Sequence, residues 1–460
     1  MNDKWRRLST LAGTTAIAFA CLAIQPAAAQ SMEELRAELQ AMRAKMAELE
    51  KRLEAAEKKQ DQQKLKVEAK GAPRFSGEGF KKFKVRGRVQ ADFGVLGDPA
   101  RIGSIDESGS FAPDHGLGTT TEFRRARLGV EGEITHWKYK FEADFANNEV
   151  DVTDAYLEYK GIKGVGITIG NQKTPVSMNE QTSSRFITFM ERAAFTDAFG
   201  FSRELGVTVN FHGKNWHWKS GVFSDAGFGG NDENNGVILA SRGHYTLPLP
   251  DGFLHLGGSV EYRNKGAAHN RLRQRPFLHT TDTRFVNTGR MPVDGNIFTG
   301  FEIAAQHGPI TFEGEFGADR VSFTAPIMPG GKASAGFQGG YATIGWFLTG
   351  ERKAYKASKG AFGRTKPLHP VDAGGIGAWQ VNLGLDWIDL TDKKADVFGG
   401  NQYSFNLGLT WIPISHVRFL VNYGRVKIEG SPDRVKLTKS GMPTRNFAIN
   451  ALGIRGQIDW

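Results

Sequence analysis

The stretch of sequence that decides the fold is residues 82–93, which read KFKVRGRVQADF. Apolar side chains alternate there with charged and amide side chains, with one interruption at Gly87. A period of two residues is that of a β-strand with one apolar and one polar face. Residues 137–145, 254–263 and 403–411 repeat the alternation. A soluble β-sandwich also alternates, but charged residues on the enclosed face suit the water-filled lumen of a membrane barrel better than a packed core.

About sixteen such segments lie between residues 80 and 460, and a bacterial outer-membrane barrel requires an even number. Short turns and long loops alternate between them. Residues 350–374 are the exception, because this connection is long although it falls at the end of the barrel that otherwise has short turns. The number of strands around it is therefore left open. The last segment carries Leu452 and Ile458 on one face and ends in Trp460, which is typical of an outer-membrane assembly signal. The sequence therefore predicts an all-β fold, a transmembrane antiparallel β-barrel of about 16 strands preceded by a short coiled-coil helix.

Residues 1–29 have the features of a secretory signal peptide: a basic start, a short apolar run and three alanines at the end. Cys21 raises a lipoprotein alternative, although Ala18 and Phe19 are poor residues ahead of a lipid-modified cysteine. Loss of this single cysteine with the signal leaves no thiol for a disulfide or a thiolate metal site. Export together with the barrel pattern predicts a location in the outer membrane of a Gram-negative bacterium.

The composition bears on the class of protein and on its partners. No apolar run after the signal is long enough to span a bilayer as a helix, which excludes a helical membrane protein. The formal net charge of +10 indicates an anionic partner. Export from the cytoplasm argues against nucleic acid, so small anions and outer-membrane lipid are the expected partners.

Residues 31–64 have a helical period instead of a period of two. Apolar residues recur there in alternating steps of four and three with charged residues between them, which is a heptad seam. The seam consists of Leu35, Leu39, Met42, Met46, Leu49, Leu53 and Ala56. It predicts a short periplasmic coiled coil that joins subunits. A solitary solvated helix is the alternative. The seam does not decide whether two or three helices associate. Residues 65–79 are expected to be a linker and residues 80–460 the barrel.

Several short motifs follow one another along the barrel region. They are GRVQAD at 87–92, FRRAR at 123–127, YLEY at 156–159, TSSR at 182–185, TFMER at 188–192, FLTGE at 347–351, GAW at 377–379 and IDL at 388–390. In this order they resemble the phosphate-selective porins O and P over most of the barrel. The resemblance implies a sixteen-stranded homotrimeric barrel that passes phosphate, polyphosphate or similar small anions. No cofactor and no metal are expected.

The resemblance also implies roles for individual residues. It makes Arg88, Arg124 and Arg125 constriction arginines, Ser183 and Ser184 hydrogen-bond donors on an inward-folded third loop, and Lys84 and Lys138 part of a basic lining that Arg86 and Arg127 extend. Alternation agrees for most of this set but points Arg124 outward, because Arg124 shares a face with Ala126 and Leu128. A β-bulge would reconcile the two readings.

Glu180 departs from the family pattern, since phosphate-specific members carry a lysine three residues before the serine pair. A carboxylate there would repel phosphate, which puts strict phosphate specificity in question. The polar faces also carry carboxylates. An alternative is therefore that the basic residues only keep the lumen hydrated and are balanced by Asp92, Glu131, Glu133 and Glu142.

Three other functions are weighed against an anion channel. An enzyme is disfavoured, and no catalytic residues are proposed, because the 11 histidines are scattered and neither HExxH nor GxSxG spacing occurs. A general porin of low selectivity is an alternative. So is a barrel that anchors the envelope while its coiled coil acts as the tether.

Overall fold

The computed structural model describes residues 32–63, 66–69, 71–77, 79–224, 236–264 and 271–460. The expected signal peptide, residues 1–29, lies outside the described residues. Helix α1 (Met32–Gln63) belongs to one compact unit, and residues 65–460 form a second. None of the helices among the described residues is long and apolar enough to cross a membrane.

Helix α1 keeps the heptad seam on one face along its length. The leucine and methionine side chains of the seam are 49–63 % exposed in the single chain. An apolar stripe of this kind is the surface through which helices pair in coiled coils. The coiled coil itself stays a prediction.

Sixteen strands of the described residues form a closed antiparallel barrel in which each strand pairs with the next along the chain. They are β1 (Phe80–Leu96), β2 (Gly118–Ile134), β3 (Trp137–Asp144), β4 (Asp151–Tyr159), β5 (Val165–Lys173), β6 (Arg203–His212), β7 (Trp216–Ser224), β8 (Val237–Leu249), β9 (Gly252–Asn264), β10 (Val293–His307), β11 (Ile310–Phe323), β12 (Ser334–Phe347), β13 (Ala378–Asp392), β14 (Val397–Ile414), β15 (Val417–Glu429) and β16 (Phe447–Asp459). The prediction of a 16-stranded antiparallel barrel is confirmed. Closure pairs every strand on both sides, so no sheet edge faces lipid.

The barrel closes between β16 and β1, whose register runs from Ala451 opposite Leu96 to Asp459 opposite Arg88. Trp460 extends this seam, because its backbone N–H donates to the Gly87 carbonyl at 3.1 Å. A Cβ atom at Gly87 would lie 2.2 Å from the indole ring. Gly87, which interrupts the alternation of the first strand, therefore leaves the space that the Trp460 ring occupies.

The two faces of each strand differ as the alternation predicts. On β15, Phe419, Val421 and Tyr423 are exposed, whereas Arg418 and Asn422 are buried on the other face. The outward side chains form the apolar surface that a bilayer requires, and the inward side chains make the lumen polar.

Residues 65–79, expected to be a linker, contain a short hairpin. Its strands are Lys66–Ala69 and Pro73–Gly77, and the second strand pairs with the start of β1. This part of the chain extends the sheet beyond the barrel wall. The turn falls at Gly71, whose φ of 78° lies in the left-handed region that glycine tolerates.

The long connection near residues 350–374 does not disturb the strand count. It is turn T6, residues 348–377, and it joins β12 to β13 on the same side as the short turns 135–136 and 308–309. T6 contains a small hairpin of its own, Tyr355–Lys356 paired with Ala361–Phe362. The hairpin contacts buried lumenal side chains of β8 and β9, so T6 folds back into the barrel.

Candidate functional site

Loop L3, residues 174–202 between β5 and β6, lies inside the barrel. Its helix α3 (Ala194–Ala198) carries Phe195, which is buried against Phe298 of β10 and Tyr341 of β12 with ring centroids 6.5 and 6.4 Å away. Burial of apolar surface stabilises by about 25 cal/mol per Å². An apolar cluster on one side of the lumen therefore holds L3 in place, together with the Asp386 carboxylate, which accepts from the Ala194 N–H at 2.9 Å.

A β-bulge brings both adjacent arginines of the FRRAR motif, Arg124 and Arg125, into the lumen. In the register of β1 with β2, Gln90 lies opposite Arg125 and the next residue of β1 lies opposite Phe123, so Arg124 is the extra residue. Arg124 donates from Nε and Nη2 to the Glu191 carboxylate of L3, both at 3.0 Å. Strict alternation is therefore wrong in pointing Arg124 outward, and the bulge is the physical reason.

Arg125 lies next to this pair and is 4 % exposed. Its Nη1 donates to Gln90 Oε1 at 2.9 Å, and its Nε has no hydrogen-bond partner. No carboxylate oxygen of a described residue lies within 4 Å of Arg125. The guanidinium is held by a neutral amide, so its charge is not neutralised locally.

Arg88 links the barrel wall to L3. Its Nη1 donates to Ser184 Oγ at 2.5 Å and its Nη2 to Glu142 Oε1 at 2.9 Å. Glu142 of β3 also faces Arg127 at 3.4 Å and Arg86 at 3.8 Å. One carboxylate is thus shared by three arginines, of which Arg127 also pairs with Asp144 at 2.7 Å.

The serine pair is divided between two partners. Ser184 contacts Arg88, whereas the Ser183 hydroxyl accepts from Arg185 Nε at 3.3 Å. The two serines of the TSSR motif therefore do not meet at one point.

The remaining basic residues of the predicted set line the wall nearer the short turns. Arg86 pairs with Glu131 at 2.5 Å and Lys138 with Glu158 at 3.1 Å, so each is locally compensated. Lys84 has no carboxylate of a described residue within 4 Å. Its electrostatic neighbours include Arg86 and Arg185 as well as Glu131.

Glu180 lies in α2 (Met178–Gln181) of L3 and is buried between two cations. Its carboxylate pairs with Lys173 Nζ at 2.8 Å and with Arg192 Nε at 2.9 Å. Burial alone would raise the pKa of Glu180, but Arg192 and Lys173 outweigh it and hold that pKa below its ordinary value. Two cations against one carboxylate leave this group positive. Arg192, which also donates to the Thr182 carbonyl at 2.9 Å, is a lumenal residue that the sequence-based set lacks.

The tip of T6 is bound on the opposite wall. Arg242 donates from Nη2 to the Gly360 carbonyl at 2.7 Å, and the His244 ring bonds to the Ala357 carbonyl at 2.6 Å. The Tyr355 hydroxyl lies 2.5 Å from His255 Nδ1. These contacts give T6 a defined position in the lumen.

The same wall brings together side chains of the types that ligate metals. His244, His255 and Glu302 offer donor atoms within 4.8 Å of one another. However, both Glu302 oxygens already receive hydrogen bonds from Arg242, whose charge opposes a cation. We therefore assign this group to holding T6.

Taken together, a closed barrel with an apolar exterior and a charged lumen narrowed by L3 and T6 is an outer-membrane channel of the porin class. The family model described as phosphate-selective porin O and P matches residues 83–459, and the chain belongs to that family. The family and the fold point to a channel rather than an enzyme, and to an outer-membrane location.

Two relatives and two solved structures illustrate the similarity. An uncharacterised protein of Caulobacter vibrioides is 34 % identical over 85 % of this chain and 76 % of its own length. Porin O of Pseudomonas aeruginosa is 24 % identical over 67 % of this chain and 73 % of its own length. OmpT of Vibrio cholerae has a TM-score of 0.50 at 11 % identity, with 86 % of this chain and 100 % of that chain covered. OprB of Pseudomonas putida has a TM-score of 0.50 at 8 % identity, with 82 % and 94 % covered. The structural likenesses show the fold alone.

Proposed function

We propose that this porin is anion-selective and passes phosphate or similar small oxyanions. The observation that carries the proposal is that Arg125 and Lys84 form no ion pair, since no carboxylate of a described residue lies within 4 Å of either. Unpaired positive charges in a narrow passage with low-dielectric walls raise the local concentration of anions. The family description, phosphate-selective, supports the chemical class of the anion.

Arg88, Arg124 and Arg127 contribute to the same field but are partly neutralised by their ion pairs. Guanidinium groups offer planar forks of donors that match oxyanions. Neighbouring carboxylates limit how tightly an anion binds, so that the anion can enter the passage and still leave it. A general porin of low selectivity is the alternative, because most lumenal cations are paired.

The assembly belongs to the proposal as well. The exposed seam of α1 supports an oligomer, and we favour a homotrimer with the helix in the periplasm. Trp460 is proposed as the assembly signal, in keeping with its position at the seam of the barrel.

Ion selectivity measured in planar bilayers tests the anion channel. We expect the wild type to be anion-selective in a salt gradient, and Arg125→Gln to lower the ratio of anion to cation permeability by roughly twofold or more, because a lumenal charge is lost. Arg425→Gln is the matched control, since Arg425 is exposed on the outward face of β15. A cation-selective wild type, or equal effects of the two substitutions, would contradict the proposal.

A further inference from the structure

A cleft open to the lumen lies where L3 and T6 meet the last two strands of the barrel. Its charged lining includes Arg185 of L3, Arg364 of T6, Arg418 of β15 and Asp459 of β16. We call the space bounded by these four residues the Asp459 cleft. It adjoins the group around Arg88, since Asp459 lies opposite Arg88 in the register of β16 with β1, but no ion pair among the described residues joins the two.

Asp459 is the acidic member of these four residues, and its side chain is 2 % exposed. Its carboxylate accepts from Arg185 Nη1 at 3.1 Å and from Arg364 Nη1 at 3.2 Å, and it is also paired with Arg364 Nη2. Two guanidinium groups from two different inward-folded segments therefore share one carboxylate.

Arg418 adds a third cation. It donates to the carbonyls of Arg185 and Ile187, both at 2.9 Å, and no carboxylate of a described residue lies within 4 Å of it. The cleft thus holds three guanidinium groups against one carboxylate. Phe186 lies under two of them, 5.0 Å from the Arg185 guanidinium carbon and 5.5 Å from that of Arg364, which restrains their planes.

We propose that the Asp459 cleft is a second binding site for a tetrahedral oxyanion and that Asp459 is its resident counter-ion. An oxyanion in the cleft replaces the Asp459 carboxylate as the acceptor for the forks of Arg185 and Arg364. This inference rests on the proposed anion channel and adds a second site on the short-turn side of L3.

Asp459 then sets the residence time of the anion in the cleft. With its carboxylate in place the cleft carries a net charge of +2 from these four residues, and the carboxylate competes for the same donors. Transport requires binding weak enough for release. The backbone of Asp459 is held independently, because its N–H donates to the His416 carbonyl at 2.9 Å and its carbonyl accepts from the His416 ring at 2.7 Å. A change confined to the carboxylate can therefore be made on an intact strand.

The test is block of chloride current by inorganic phosphate through the full-length protein in planar bilayers. Asp459→Asn should lower the half-blocking phosphate concentration by roughly threefold or more, because one negative charge leaves the cleft. Arg364→Gln should raise it by a similar factor. Asp282→Asn is the matched control, since this carboxylate is 98 % exposed in a loop.

The outcomes separate the two proposals. An anion-selective wild type whose phosphate block is unchanged by both Asp459→Asn and Arg364→Gln overturns the second site and leaves the channel proposal standing. A cation-selective wild type overturns the channel proposal instead. If Asp459→Asn does not form heat-modifiable barrels, Arg364→Gln decides: weaker block supports the site, and unchanged block overturns it.

Discussion

Glu180 shows how a carboxylate can lie in an anion passage without making it negative. Glu180 forms a group with Lys173 and Arg192 that keeps one net positive charge, so the group as a whole would attract an anion in the proposed channel. The expectation that Glu180 repels phosphate considers its carboxylate without the charges of Lys173 and Arg192. In the folded chain, the carboxylate also orders the start of L3 through its two partners.

Removal of this carboxylate should therefore strengthen anion binding. Glu180→Gln is expected to lower the half-blocking phosphate concentration by roughly twofold to tenfold, because two cations lose their partner. The pKa of Glu180 is lowered by Arg192 and Lys173. Such a group stabilises the fold above its unfolded pKa of about 4.3, and the contribution is lost only as the pH falls through the lower folded pKa. The difference between variant and wild type should therefore persist from pH 7 to pH 5.

Phosphate block at both pH values, with the exposed Glu107→Gln as control, checks this expectation. Equal block in wild type and Glu180→Gln would mean that the group does not face the passage. A difference that vanishes at pH 5 would contradict the lowered pKa.

Single residues were predictable where local alternation decides their direction, and not where distant segments meet. Lys84, Arg88 and Arg125 followed from the period of two. The bulge at Arg124 could not be read from that period, because an extra residue in one strand shows only against its partner strand. The partners of Asp459 could not be read either, since Arg185 lies 274 residues away and Arg364 lies 95 residues away.

T6 is the element that departs most from the simple barrel plan. Its tip is fixed by backbone carbonyls that accept from Arg242 and His244, and its Lys353 pairs with Glu313 of β11. The length of the segment was visible in the sequence. Its inward fold was not, because it depends on lumenal partners contributed by three strands.

The tip of T6 should make conduction depend on pH. Crowding by the surrounding protein, followed by repulsion from Lys138 and Lys356, lowers the pKa of Lys359 to about 8, although the residue keeps solvent-exposed surface. Lys359 is therefore charged below pH 8 and becomes neutral as the pH rises above it. We expect the ratio of anion to cation permeability to fall between pH 7 and pH 9 in the wild type, and the fall to be reduced in Lys359→Gln.

Reversal potentials in a salt gradient at pH 7, 8 and 9 measure this. Lys332→Gln, on an exposed lysine of the loop between β11 and β12, should keep the pH dependence of the wild type. If Lys359→Gln keeps it as well, another group is responsible and T6 does not carry the titrating charge.

For the molecule as a whole, the fold followed from the sequence because a barrel is specified strand by strand. Each lipid-facing strand must alternate and each backbone group must pair, so sixteen local patterns sum to one architecture. The arrangement of side chains in the lumen depends instead on packing between loops that are far apart in the sequence. L3 was expected inside from the resemblance, whereas its apolar anchor around Phe195 appeared only in the folded chain.

The quaternary structure depends on the seam of α1. Its leucine and methionine side chains are exposed in the single chain, and packing them between helices would bury apolar surface at about 25 cal/mol per Å². Leu39→Asn together with Leu49→Asn places amides in that seam and should weaken the oligomer. Ala37→Asn together with Ala44→Asn makes a similar change in helix propensity away from the seam and should leave it intact. Cross-linking and the temperature at which oligomers dissociate in detergent distinguish the two pairs. If both pairs dissociate at the temperature of the wild type, contacts between barrels alone hold the assembly, and the seam serves another partner.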